Sequence, residues 1–400
     1  MNQTSDSPGR ARWRMLALVA GAEILGMSAW FSASAIGPRL AELWSLELGE
    51  VGWLVGVVQI GFVAGTALAA VLNLADVLPA RGYFAVCAVA TAGVNAGLLA
   101  APGYGSALAL RFLTGVFLAG VYPPAMKMIA TWFSSARGLA IGTVVGALTV
   151  GKATPYLLKA IDPGDHRVVV LATSLGALLA GVLVIVGYRD GPNPFERRPF
   201  SWRLAGAVMA HRPTRLATLG YLGHMWELYA MWTWVPVYLA ASLRDSGSAH
   251  GASTADLLAF GAIAAGGLGC VWGGWQADRS GRERVVNLSM TMSGAACLGV
   301  GLVFGAEPWL LALVTWFWGF FVVADSAQFS TLVTELAPRH AVGTALTLQT
   351  SLGFLLTLAT IQLVPRLAEA AGWQWAFVVL ALGPAFGIAA IQRLARGRRG

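Results

Sequence analysis

Along this chain, apolar stretches the length of a membrane crossing alternate with short polar breaks. A helix needs about 20 apolar residues to span the hydrocarbon core. Windows of that length recur at about 14–36, 51–74, 83–101, 105–130, 138–160 and 167–188, and again at about 215–241, 255–276, 285–305, 308–332, 341–364 and 373–392. The pattern predicts an all-α membrane protein of twelve transmembrane helices. The longest polar stretch, RDGPNPFERRPFSWRLAGAVMAHRP from Arg189 to Pro213, is rich in Pro and Arg and falls between the sixth and seventh windows. It divides the chain into a first six-helix bundle at 1–188, a linker at 189–214 and a second bundle at 215–400.

Composition agrees, with 57% of residues hydrophobic and 12% charged against roughly 25% charged in soluble domains. A formal charge of +8 raises the question of a nucleic-acid partner, and placement of the basic residues answers it. With the N-terminus inside, Arg10, Arg12, Arg14, Arg81, Arg137, Arg189, Arg197, Arg198, Arg203, Arg212, Arg215, Arg279, Arg282, Arg284, Arg339, Arg393, Arg396, Arg398 and Arg399 share one side. The other side holds only Arg39, Lys159, Arg167, Arg244 and Arg366. The positive-inside rule therefore predicts cytoplasmic termini and a bilayer, not a nucleic acid, as the partner. Cys87, Cys270 and Cys297 fall inside windows at irregular spacing, so they read as packing residues, with no metal and no cofactor expected.

Two internal echoes support a duplicated bundle. LADVLPARG with Asp76 and QADRSGRER with Asp278 lie 202 residues apart, and RGLAIGTVVG around Gly138 and AVGTALTLQ around Gly343 lie 205 apart. In GGWQADRSGRER, the residues Gly274, Asp278, Arg279, Gly281 and Arg282 match G-x-x-x-D-R-x-G-R. This loop and the twelve-span topology resemble the major facilitator superfamily, and ALRFLTGVFLAG adds its R-x-x-x-G pattern at Arg111 and Gly115. The resemblance implies two six-helix bundles, transport, and a gating latch at Gly274, Asp278, Arg279, Gly281 and Arg282. In the first-half copy Asp76 remains, but Leu72 and Val77 replace the leading glycine and first arginine. Span five lacks the Gly-Pro pair of proton-coupled drug antiporters. The segment VYPPAMKMIATWFSSARGLAIG is similar to organic-anion symporters and to cyanate and nitrate transporter relatives.

Charges inside windows are costly in lipid and mark function by default. They are Glu23, Arg111, Lys152, His224, Glu227 and Asp325, with Lys127 and Lys159 nearer the ends. The plain alternative is that they neutralise one another as packing pairs, Glu23 with Arg111 first among them. In GHMWELYAMWTWVP the residues His224, Glu227, Met231, Trp234 and Tyr238 fall within about an 80° arc of one helix. Thr149, Lys152, Tyr156 and Lys159 form a second stripe, and Trp318, Phe321, Asp325 and Gln328 a third. Their convergence on the bundle axis predicts a substrate site of Arg111, Lys152, Tyr156, His224, Glu227, Trp234, Tyr238 and Gln328. Trp226 is expected to point away from it.

These readings predict a proton-coupled symporter for a small organic anion in the bacterial inner membrane, working as a monomer. Arg111 and Lys152 would hold the anion; Glu23, Glu227 or Asp325 would carry the proton; Glu23 and Arg111 would form a switchable pair. Export of a drug or aromatic metabolite is the alternative within the class, and a membrane-embedded sensor the one outside it. A sensor would need a soluble signalling domain that the linker and tail are too short to hold. An enzyme is not expected, because no Walker loop, H-E-x-x-H or G-x-S-x-G occurs.

Overall fold

The computed structural model describes residues 8–193, 200–247 and 251–397, apart from the side chains at 8, 75 and 76. The expected latch residue Asp76 thus lies outside the described residues, as do Arg197, Arg198, Arg398 and Arg399. The described chain is nearly all helical. Helices long and apolar enough to cross a membrane are α1 (Gly9–Ala35), α2 (Leu48–Val71), α3 (Ala80–Ala100), α4 (Tyr104–Ala130), α5 (Arg137–Ile161) and α6 (His166–Gly187), then α8 (Ala252–Ser280), α9 (Arg282–Val303), α10 (Pro308–Leu336), α11 (Arg339–Ala371) and α12 (Val378–Gly397). Between the two sets runs α7 (Arg212–Asp245), whose 34 residues give it about 51 Å of length. Its apolarity is diluted by His224, Glu227 and six Trp and Tyr residues.

The helix ends differ from the hydropathy windows where aromatics sit in turns. The last hydropathy window spans about 373–392, whereas α12 starts at Val378. Gly372 takes φ +82°, and the GWQW segment that follows makes a turn in which Trp375 stays exposed. Such residues score as apolar yet suit an interface.

Helix pairing repeats itself six helices apart. α1 packs on α5 and α6, α2 on α4, and α3 on α4 and α6; likewise α7 packs on α11 and α12, α8 on α10, and α9 on α10 and α12. Two six-helix bundles result. They meet along two equivalent seams, α2 against α11 and α5 against α8.

The α5/α8 seam is close because small residues let backbones touch. A methyl on Gly142 would collide with the Cys270 carbonyl oxygen, and one on Gly146 would press on the Gly267 carbonyl at 2.6 Å. The Gly142-x-x-x-Gly146 spacing is the small-x-x-x-small pattern that such close contact requires. At the end nearest the termini, the Leu139 N–H donates to Asp278 Oδ2 at 3.3 Å. At the opposite end, Lys159 Nζ pairs with Asp256 Oδ1 at 3.1 Å, Gln362 Nε2 donates to the Gly49 carbonyl at 3.2 Å, and Gly52 lies against Trp234 and Gln362.

This seam generates a stability test. Gly142→Ala should destabilise the protein by about 1–3 kcal/mol through overpacking, read as a lowered melting temperature in detergent. Gly93→Ala, at an exposed position with nothing within 4 Å of the added methyl, should be neutral or stabilising, since Ala is the better helix former. Equal melting temperatures for the two variants would contradict the packing described.

Candidate functional site

Helix α1 stops being α-helical one turn before its end. Residues Ser28–Phe31 form one 3-10 turn before the helix resumes at Ser32, and such a break frees carbonyls inside the bundle. Arg111 takes them up. It is fully buried and donates to the carbonyls of Ala29 at 3.0 Å, of Trp30 and of Leu54 at 3.4 Å. It also reaches Ser32 Oγ at 3.2 Å and Asn95 Oδ1 at 3.4 Å. Asn95 extends the network to Thr173 Oγ1 at 3.0 Å and Ser174 Oγ at 2.9 Å.

Arg111 therefore staples α4 to α1, α2 and α3, and its guanidinium makes no ion pair with Glu23. The expected Glu23–Arg111 pair is corrected by this geometry. A broken helix offers a guanidinium several carbonyls in a fixed fan, which its planar set of donors can match. Glu23 instead lies close enough to Lys152 for their charges to interact, at the level where Gly151 packs on the Glu23 and Ile24 carbonyls. Both carboxylate oxygens of Glu23 are buried without a hydrogen-bond partner.

Lys152 is the centre of the constellation. Its ammonium donates to Tyr229 Oη and lies 3.9 Å from the ring centroid of Trp30, 4.7 Å from that of Tyr229 and 5.3 Å from that of Trp232. Cation–π attraction strengthens in such a desolvated place. Trp30 and Lys152 belong to the first bundle, Tyr229 and Trp232 to the second, so the cage spans the seam. More rings continue it: Phe62 and Phe354 lie 4.7 Å apart across the bundles, Trp30 is 5.9 Å from Phe354, and Phe31 is 6.4 Å from both Trp232 and Tyr156. Buried polar groups without a partner include the indole nitrogens of Trp30 and Trp232 themselves, Gln59, which shares a helix face with Phe62 three residues on, and Gln349. Gln349 lies within about 40° of Gly353 on its helix, and Gly353 packs on Tyr221 and Met225 of α7.

The expected face of α7 is turned elsewhere. Glu227 accepts from Trp318 Nε1 at 2.6 Å, Ser293 Oγ at 2.9 Å and Cys297 Sγ at 3.1 Å, all inside the second bundle. Tyr238 Oη donates to the Val300 carbonyl at 2.6 Å. Trp234 Nε1 donates to the Ile361 carbonyl at 2.8 Å, and its ring closes the α2/α11 seam against Gly52. His224 Nδ1 lies 3.0 Å from Asp325 Oδ1, not beside Glu227, and the pair is not aligned as a hydrogen bond. The stripe read from the sequence thus packs mainly within the second bundle, with the Trp234 ring reaching Gly52 of the first. The α7 residues that meet the first bundle at Lys152 are Tyr229 and Trp232, about 150° round the helix from the centre of that stripe. Trp226 donates to the Val379 carbonyl at 3.2 Å, away from the seam as expected.

The third stripe follows the same correction. Trp318 serves Glu227, and Gln328 Oε1 accepts from Arg282 at 3.1 Å. Among the expected latch residues, Arg282 Nε also donates to Glu335 Oε1 at 2.8 Å and its guanidinium lies 3.9 Å from Asp278. Arg279 stacks 3.6 Å over the Trp275 ring. Gly274 packs on the Gly138 backbone, and Gly281 takes φ +89° where α8 turns into α9. Tyr156 stays by the cage through Phe31. Trp30, Tyr229, Trp232, Phe354 and Gln349 are absent from the sequence-based site, although the Tyr221 to Trp232 spacing carries the same helical period as the stripe chosen.

The family model for the Major Facilitator Superfamily matches residues 18–273. Among curated proteins, the chain is similar to the hexuronate transporter of Escherichia coli (strain K12), 20% identical over 93% of this chain and 91% of that one. It is similar also to the 4-hydroxybenzoate transporter PcaK of Pseudomonas putida, 24% identical over 76% and 75%. Among solved structures, a bacterial homologue of the human lysosomal transporter Spinster, inward-facing and unoccupied, superposes with a TM-score of 0.69 at 16% identity, covering 96% of this chain and 98% of the other.

If Arg111 is a staple, its loss is a loss of structure. Arg111→Lys keeps the charge but removes the fan of donors, and each charged hydrogen bond forgone costs about 1.5–3 kcal/mol. The expected result is a clearly lower melting temperature for purified R111K with no substrate present. An unchanged melting temperature would return Arg111 to the list of substrate-binding candidates.

Proposed function

The chain belongs to the Major Facilitator Superfamily, and on that premise we propose that it is a secondary carrier moving a small organic anion by alternating access, coupled to protons. The observation that carries this reading is Lys152, a buried ammonium held at the seam of two bundles by one hydroxyl and three ring faces. A cation so placed attracts an anion that reaches it from either side. The hexuronate and 4-hydroxybenzoate named for the two relatives are both carboxylates, which suits such a centre.

Glu23 supplies the coupling. With no anion bound, the Glu23 carboxylate and Lys152 balance each other in a medium where an isolated charge is costly. A substrate carboxylate on Lys152 takes over that role, and Glu23 then sheds its charge by accepting a proton. Substrate and proton thus travel together with no net charge added. Glu227 and Asp325, embedded in the second bundle, are assigned here to holding α7 against α9 and α10.

Alternating access follows from two bundles, residues 1–188 and 215–400, rocking about the seams with 189–214 as tether. Asp278, Arg282, Gln328 and Glu335 form the latch at the end of the termini, and Lys159 with Asp256 and Gln362 with Gly49 hold the opposite end. The protein is assigned to the bacterial inner membrane as a monomer, termini cytoplasmic, consistent with the arginine bias.

Proteoliposomes loaded at neutral pH and diluted into acidic medium test the scheme. Uptake of a carboxylate substrate should rise with the inward proton gradient. Lys152→Gln should abolish uptake while the protein stays folded by thermal unfolding, and Glu23→Gln should allow exchange of labelled for unlabelled substrate without acceleration by the gradient. Gradient-driven accumulation by E23Q would place the coupling group elsewhere.

A further inference from the structure

The seam limits what kind of carboxylate Lys152 can receive. Arg111 points its nitrogens at protein carbonyls, a hydroxyl and an amide oxygen, and Lys159 is engaged by Asp256. Lys152 therefore faces the substrate with a single positive charge, and the Glu23 carboxyl stands close by. A second negative charge on the substrate would meet an acid rather than a cation.

The walls beside the ammonium are ring faces. Trp30, Tyr229 and Trp232 surround it, and Phe62 and Phe354 extend the same surface, with Trp30 5.3 Å from Phe62 and Tyr229 5.2 Å from Phe354. The atoms next to the substrate carboxylate consequently lie against carbon. In a sugar acid those positions carry a ring oxygen and hydroxyls, which lose water there and meet mostly ring carbon, with Tyr229 Oη already accepting from Lys152. In an aromatic acid they carry ring C–H groups, which suit the faces and edges of neighbouring rings. Besides the Glu23 oxygens, unpartnered polar groups on or next to the ring-bearing helix faces are discrete: the two indole N–H groups and the amides of Gln59 and Gln349. They suit a polar substituent on the far side of a ring better than hydroxyls distributed around one.

Resting on the carrier reading above, we infer that the substrate is a planar aromatic monocarboxylate whose carboxylate sits on Lys152, whose ring lies among Trp30, Tyr229 and Trp232, and whose distal polar group reaches Gln59 or Gln349. The aromatic residues then set specificity and the lysine sets charge.

The test uses the full-length protein in proteoliposomes under an inward proton gradient, with labelled 4-hydroxybenzoate and labelled glucuronate as probes and benzoate and phthalate as competitors. The expected result is accumulation of 4-hydroxybenzoate, competition by benzoate, and no effect of glucuronate or of the dianion phthalate at large excess. Trp232→Leu should raise the half-saturation concentration for 4-hydroxybenzoate about tenfold, and Trp232→Phe should recover most of the loss, with both variants shown to be folded by their thermal transitions. Accumulation of glucuronate or phthalate in place of 4-hydroxybenzoate would overturn the inference and leave the anion carrier standing. Failure to accumulate any of these anions, or others in a wider carboxylate panel, would overturn the carrier reading and the inference with it. A half-saturation concentration unchanged in W232L would remove the aromatic wall from the argument and overturn the inference alone.

Discussion

An ammonium group buried at mid-membrane must be compensated by something, and at Lys152 the compensation is shared between two bodies. Desolvating a single charge costs several kcal/mol even after relaxation, so Trp30, Tyr229, Trp232 and the neighbouring Glu23 are all held in register with it. Much else in the molecule follows from that need. The glycine seam of α5 and α8 brings the bundles close enough for rings of one to shield a charge of the other. The break in α1 swings Trp30 beneath the ammonium, and Arg111 stabilises the break.

The two buried cations of the first bundle show opposite solutions to one electrostatic problem. Arg111 is surrounded by carbonyl and amide oxygens from α1, α2 and α3, so its charge is spent inside one rigid unit. Lys152 has polarizable ring faces and a hydroxyl. The first arrangement satisfies every direction of a charged group with oxygen, while the second leaves the ammonium facing mostly ring carbon. A polar core equivalent to that of Arg111 exists in the second bundle, where Glu227 gathers Trp318, Ser293 and Cys297. Both bundles thus spend ionisable groups on holding their own helices together.

The helices and their division were legible because hydrophobic runs of fixed length leave few other outcomes in lipid. Gly142 and Gly146 were legible for a similar reason, as spacing on a helix reports which backbones can approach. The orientation of α7 was not legible. His224, Glu227, Trp234 and Tyr238 obey the helical period as well as Tyr221, Tyr229 and Trp232 do, and period alone does not say which face looks across the seam. Charge misled here: two ionisable residues in lipid read as functional, yet each found partners within its own bundle. That Arg111 would not pair with Glu23 was hidden because the carbonyls that occupy Arg111 are freed by a backbone break that no side chain announces.

The non-α turn at Ser28–Phe31 carries a mechanical consequence. Because Arg111 pins the Trp30 carbonyl, Trp30 moves with Lys152 as part of the first bundle, whereas Tyr229 and Trp232 move with the second. Any rotation of the bundles then strips two of the three ring faces and the only bonded hydroxyl from the ammonium while leaving the third ring in place. The ammonium's demand for a counter-ion is thereby tied to the angle between the bundles.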